Sequence, residues 1–96
     1  VENAFLATKL TFFNEMYHLF NHHFAGHSFD RMVDAITTDP RIGRSHTQVP
    51  GPDDKFGYGG HCLPKDVNAL RNIDNNPHST PLMDVVHRIN EENRNA

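Results

Sequence analysis

One cysteine, Cys62, stands in the run Phe56-Gly-Tyr-Gly-Gly-His-Cys62-Leu-Pro-Lys-Asp66. The thiolate form of such a side chain attacks electrophilic carbon. Pro64 follows two residues later, and proline suits the first turn of a helix, where the N–H it lacks would have no partner. The spacing predicts a short helix from Lys65 to Asn72, with Cys62 at or just before its N-terminus. Unpaired backbone N–H groups and the helix dipole favour an anion there. Gly57, Gly59 and Gly60 let the backbone approach a ligand closely. Most free cysteines are simply small buried residues. A glycine pair before this one, with Lys65 and Asp66 after it, argues instead for a loop facing a polar ligand.

Asp66 lies one helical turn beyond Cys62 and can face the same site. A carboxylate so placed can orient or activate a water. It can equally do no more than complement the helix dipole, and the residues alone leave both readings open. Eight histidines are a second possible source of chemistry. His18 and His22 are an i, i+4 pair of the kind that grips a metal from one helix face. No cysteine or acidic cluster joins them, so a partly exposed histidine face is the expectation and no metal site is assigned. His61 and Cys62 are adjacent at a helix start and point in different directions, which makes a Cys–His dyad unattractive. Gly57-Tyr-Gly59-Gly60 lacks the GxGxxG spacing and the strand–turn–helix setting of a dinucleotide-binding turn. No residue here is assigned to a cofactor.

The elements that must carry these residues read as helices throughout, and no alternating strand pattern occurs. Leu6, Leu10, Phe13, Tyr17 and Phe20 form an apolar stripe, widened by Phe12, Met16 and Leu19. They predict a helix from about Asn3 to His22. Ser28 is the expected N-cap of a second helix, with Asp30 in its first turn and Phe29, Met32, Val33 and Ile36 on its inner face. Asp39-Pro40 ends that helix, because a residue before proline avoids helical angles. From about 39 to 61, three prolines and five glycines make a long loop. Asn75-Asn76-Pro77 breaks the third helix, and Thr80-Pro81 caps and starts a fourth. Leu82, Val85, Val86 and Ile89 are its expected inner stripe, followed by a polar, fraying tail from Asn90 to Ala96. The fold class is thus all-α: a small bundle of about four helices with one long Gly/Pro-rich loop.

Ninety-six residues allow one small domain with a modest core. The formal net charge of −3 offers no basic surface for nucleic acid. No apolar run approaches the roughly 20 residues of a membrane span. A lone cysteine closes no intrachain disulfide, and Val1-Glu-Asn lacks the basic and apolar pattern of a secretory leader. A cytoplasmic location is the expectation. The chain opens without methionine inside a helix and is read as a piece of a longer polypeptide.

Three stretches carry a resemblance. Phe56–Asp66 resembles the nucleophile loop of the UDP-glucose and GDP-mannose dehydrogenase family, GFGG-x-C-x-PKD. Asn3-Ala-Phe-Leu-Ala-Thr-Lys9 through Phe13-Asn14-Glu15 is similar to the start of that family's central helix. Asp39-Pro-Arg-Ile-Gly43 is similar to its DxRIG segment. They stand in the family's order and span nearly the whole chain.

The resemblance implies that residues 1–96 are the family's central, helical dimerisation domain. The NAD-binding domain would precede it and the UDP-binding domain would follow. It implies oxidation of a nucleotide sugar's C6 alcohol to a carboxylate, with NAD as hydride acceptor, and Cys62 as the nucleophile that forms a thiohemiacetal and then a thioester. Asp66 would serve the hydrolytic water, and Asn3 would help hold a water or developing oxyanion. Arg41 would reach a neighbouring subunit's substrate, since a guanidinium fork suits sugar hydroxyls and phosphate. A surface arginine paired with Asp39 is the plainer alternative. Phe56, Tyr58, Gly59 and Gly60 would line the sugar nucleotide, with Lys65 close by.

The family's lysine, one turn before the asparagine, would fall ahead of Val1. Lys9 is not that residue and reads as a solvated helix lysine. Val49–Lys55 is longer than in some members, which blurs contacts between Gly43 and Phe56. Pro-Lys-Asp after the cysteine favours the UDP-glucose and GDP-mannose branches, with a lean to glucose. The expected partners are UDP-glucose or a related nucleotide sugar and a second copy of the chain. The fragment alone is expected to be inactive. A helical dimerisation module without catalysis is the alternative.

Overall fold

The computed structural model describes residues 1–24 and 26–96. Four helices follow one another: α1 (Glu2–His23), α2 (Phe29–Ile36), α3 (Cys62–Arg71) and α4 (Pro81–Arg94). No strand occurs among the described residues, so the all-α reading holds. The long α1 is the axis on which α2, α3 and α4 all pack.

Small residues decide how α1 packs. Ala4, Ala7, Thr11 and Asn14 form its innermost line, and all are buried. Their size lets α3 and α4 come close, while Thr11 Oγ1 donates back to Ala7 O at 2.8 Å and so buries no unpaired hydroxyl. One core cluster joins Ala4 and Ala7 to Tyr58, Val67 and Val86. A second joins Phe13 to Phe29, Val33 and Val49, with Tyr17, Phe20 and Phe56 packed against it.

Several expectations need correction. Phe12 and Leu19 are exposed and do not widen the inner stripe. They lie seven residues apart, in step with exposed Phe5, on a separate face of α1. On α4, Leu82 and Val85 are exposed, and the inner line is Met83, Val86 and Asn90. The expected fraying tail is helix as far as Arg94, because Asn90 and Arg94 have partners in the loop. α3 starts at Cys62, three residues earlier than expected. Ser28 caps α2 as expected, accepting from Arg31 N at 3.2 Å. Thr80 precedes α4 without a side-chain capping bond.

Candidate active site

Cys62 is the first residue of α3 and is exposed. No side chain caps this helix start, so the N–H groups of its first turn remain available to a ligand. Asp66, one turn on, is half-buried. Its Oδ2 accepts a hydrogen bond from Asn3 Nδ2 at 2.9 Å, across 63 residues of sequence. The first turn of α1 and the first two turns of α3 thus put an amide, a carboxylate and a thiol into one neighbourhood. Lys65 Nζ lies 4.0 Å from the other carboxylate oxygen, Asp66 Oδ1. A nucleophile, a water-orienting acid and polar donors are the parts that acyl or aldehyde chemistry requires.

A pocket of about 610 Å³ has Tyr58, Gly59, Gly60 and Leu63 in its wall, whereas Cys62, Asn3, Lys65 and Asp66 are not among its lining residues. The loop residues His46, Gln48, Gly51, Pro52 and Asp53 also line it. Sequence reasoning missed these loop residues, which lie in the stretch where alignment to the family was blurred. Tyr58 has two roles. It belongs to the core, where burial raises its phenol above the ordinary value, and it also lines the pocket. Gly57 has φ +79° and lies so close to α4 that a Cβ would collide with Asn90 Oδ1.

Two expected site residues stand apart from Cys62. Phe56 turns inward, its ring 5.5 Å from Tyr17 and 4.8 Å from His18 between centroids, as part of the second core cluster. Arg41 forms a fork with its near neighbour Asp39, with Nη2 to Oδ2 at 2.7 Å and Nε to Oδ1 at 3.1 Å. The pairing lowers the Asp39 carboxyl and raises the Arg41 guanidinium from their ordinary values. The Arg41 side chain is 88% exposed, so it points to solvent or to another molecule. Lys9 is not a free surface lysine. Its Nζ donates to Ile42 O at 2.6 Å and Gly43 O at 3.2 Å, tying the Asp39–Gly43 turn to α1.

The loop before Cys62 is held by side chains. Asn14 accepts from Gly57 N at 2.8 Å, and Arg94 Nη2 meets Asp53 Oδ2 at 2.8 Å. Arg94 holds the Asp53 carboxyl below its ordinary value, with a smaller contribution from the Lys55 N–H. A carboxyl lowered by folding adds stability above its unfolded pKa, and that stability is lost as pH falls through the folded value. The 53–56 segment should therefore loosen only below about pH 4. Acid titration followed by NMR checks this. Loss of the segment's native shifts near neutrality would contradict it. No group of three or more metal-ligating side chains occurs among the described residues.

A profile of the UDP-glucose/GDP-mannose dehydrogenase family, central domain, matches residues 1–92. The chain is 38% identical over 91 residues to a UDP-glucose 6-dehydrogenase of Rickettsia bellii (strain RML369-C), covering 94% of this chain and 19% of the relative. It is 33% identical over 93 residues to one of Bacillus subtilis (strain 168), covering 96% and 19%. It is 41% identical over 73 residues to one of Rickettsia prowazekii (strain Madrid E), covering 76% and 15%. The chain thus spans less than a fifth of the length of these relatives.

Proposed function

The chain belongs to the UDP-glucose/GDP-mannose dehydrogenase family, and from that membership we propose that it is the central domain of a UDP-glucose 6-dehydrogenase. It would supply the covalent step in oxidising the sugar C6 alcohol to a carboxylate. The observation that carries the reading is the Asn3–Asp66 hydrogen bond one helical turn from the Cys62 thiol.

In this reading the Cys62 thiolate adds to the C6 aldehyde of the half-oxidised sugar. A C–S bond forms, and the carbonyl oxygen takes a proton to give a thiohemiacetal. Oxidation of that adduct leaves a thioester on Cys62. Asp66 then orients a water and accepts its proton as the water attacks, while Asn3 holds Asp66 in place. The C–S bond breaks, the carboxylate is released and Cys62 leaves as thiolate. NAD accepts the two hydrides in such an enzyme. The residues here do not fit it, because the described residues form no strand and no strand–turn–helix unit. Its binding falls to a domain outside these 96 residues, and the chain alone would turn over no substrate. Tyr58, Gly59 and Gly60 would line the sugar nucleotide with Lys65 nearby, and Phe56 would support that wall from behind.

The reading includes a cytoplasmic homodimer. Among the described residues no helix is long and apolar enough to cross a membrane. Phe5, Phe12 and Leu19 make a heptad-spaced apolar face on α1 that stays exposed among the described residues. A second copy would bury it, and the exposed Arg41 would then be free to exchange Asp39 for the neighbour's substrate. Phe12→Glu should weaken self-association at least about tenfold, since a buried aromatic anchor is replaced by a charge. Analytical ultracentrifugation checks this, and an unchanged dimer would place the interface elsewhere.

The test of the site is iodoacetamide labelling of Cys62 with and without UDP-glucose. The expected result is slower labelling in the presence of the sugar nucleotide. Labelling indifferent to UDP-glucose would favour a helical dimerisation module without catalysis.

A further inference from the structure

The last two turns of α4 close over the glycine loop from behind. Asn90, only 6% exposed, accepts from Tyr58 N at 2.7 Å and donates Nδ2 to Tyr58 O at 3.0 Å. One side-chain amide thus pairs both backbone groups of one loop residue. One turn later, Arg94 bridges to Asp53 Oδ2 at 2.8 Å and donates Nη1 to Phe56 O at 3.4 Å. A Cβ on Gly59 would collide with the Arg94 guanidinium, just as one on Gly57 would collide with Asn90. Glycine at 57 is therefore favoured both by its positive φ and by the close approach of α4, while a side chain at 59 would displace the Arg94 guanidinium.

The pocket is lined by parts of the same loop. The Gly51–Asp53 turn makes one stretch of its wall and Gly57–Gly60 another. Arg94 holds the first stretch through Asp53, and Asn90 holds the second through Tyr58. We propose that Asn90 and Arg94 are positioning residues that hold these two pocket-lining stretches in place on α4, and so set the grip on a sugar nucleotide, without touching it or Cys62. The identity of the ligand rests on the function proposed above, whereas the clamp itself rests on the contacts just given.

The test compares the parent chain with Arg94→Ala and Arg94→Lys by labelling Cys62 with iodoacetamide across a series of UDP-glucose concentrations. Arg94→Ala should raise the half-protecting concentration about tenfold, the loss expected for one charge-assisted contact. Labelling without UDP-glucose should stay within about twofold of the parent, because α3 and its core remain intact. Arg94→Lys should recover part of the loss by keeping a cation opposite Asp53. An unchanged half-protecting concentration overturns the proposal. Faster labelling of unliganded Arg94→Ala does so too, since it marks general loosening instead of a set pocket.

If the parent is not protected by UDP-glucose at all, the functional reading fails, and hydrogen exchange decides on the clamp. Faster exchange in Arg94→Ala confined to residues 51–60 supports the clamp. No change, or a change spread through the helices, overturns it.

Discussion

Val67→Asp should leave the chain unfolded at 25 °C. Val67 is fully buried on α3, in the cluster that also holds Ala4, Ala7, Tyr58 and Val86. Its neighbours there are mostly apolar, so a carboxylate in its place would be stripped of water with no cation in the cluster to pair with. Burying such a group costs upward of about 4 kcal/mol, even after it takes up a proton. A domain of this size has roughly 5–15 kcal/mol in total, and a small core lies at the low end. Far-UV circular dichroism reads the result. Val67→Ala is the companion, expected to stay folded with a loss of about 2 kcal/mol from the cavity. A helical, cooperatively melting Val67→Asp chain would mean that α3 does not pack on α1 as described.

Cys62→Ser should stop chemistry while leaving the fold untouched. The thiol is exposed and belongs to neither core cluster. Serine is nearly the same size but a far weaker nucleophile at neutral pH. With the chain placed in the full length of a relative UDP-glucose 6-dehydrogenase, uronate formation should fall on the order of 1,000-fold or more, as when a covalent nucleophile is removed. The melting temperature should not move. A variant retaining more than about a hundredth of the parent rate would remove the cysteine from the covalent route.

The part of this architecture written in local sequence was readable from it. The bounds of α1 and the start of α2 follow from apolar spacing and from the Ser28 cap, and Pro64 places Cys62 at a helix start, whereas α2 ends at Ile36, ahead of the expected Asp39-Pro40 stop. What local pattern could not convey was which polar residues would be drawn inward. Asn90 and Arg94 look like a solvated tail because nothing nearby in sequence needs them. Their partners, Tyr58 and Asp53, lie 32 and 41 residues earlier. Lys9 gave the same false impression on α1, where it holds the Asp39–Gly43 turn, and nothing local marked Asn14 as the residue that holds Gly57. Large apolar residues misled in the opposite direction. Phe12 and Leu19 look like core, yet Ala4 and Ala7 are what let helices approach. A signal was present in the i, i+4 spacing of Val86, Asn90 and Arg94, which continues one helix face past its last apolar residue.

The Asn3–Asp66 bond has a consequence for the order in which the chain acquires its chemistry. Cys62 and Asp66 become neighbours as soon as one turn of α3 forms, an event of submicrosecond timescale. Asn3 must arrive from the other end, closing a loop of 63 residues, and such distant pairings form late. A chain caught before that closure presents a thiol whose carboxylate is unanchored. Under the function proposed above, such a chain would lack the arrangement for releasing a bound acyl group. Acyl adducts that persist on Cys62 should then mark incompletely folded molecules, which would make them a chemical record of folding defects.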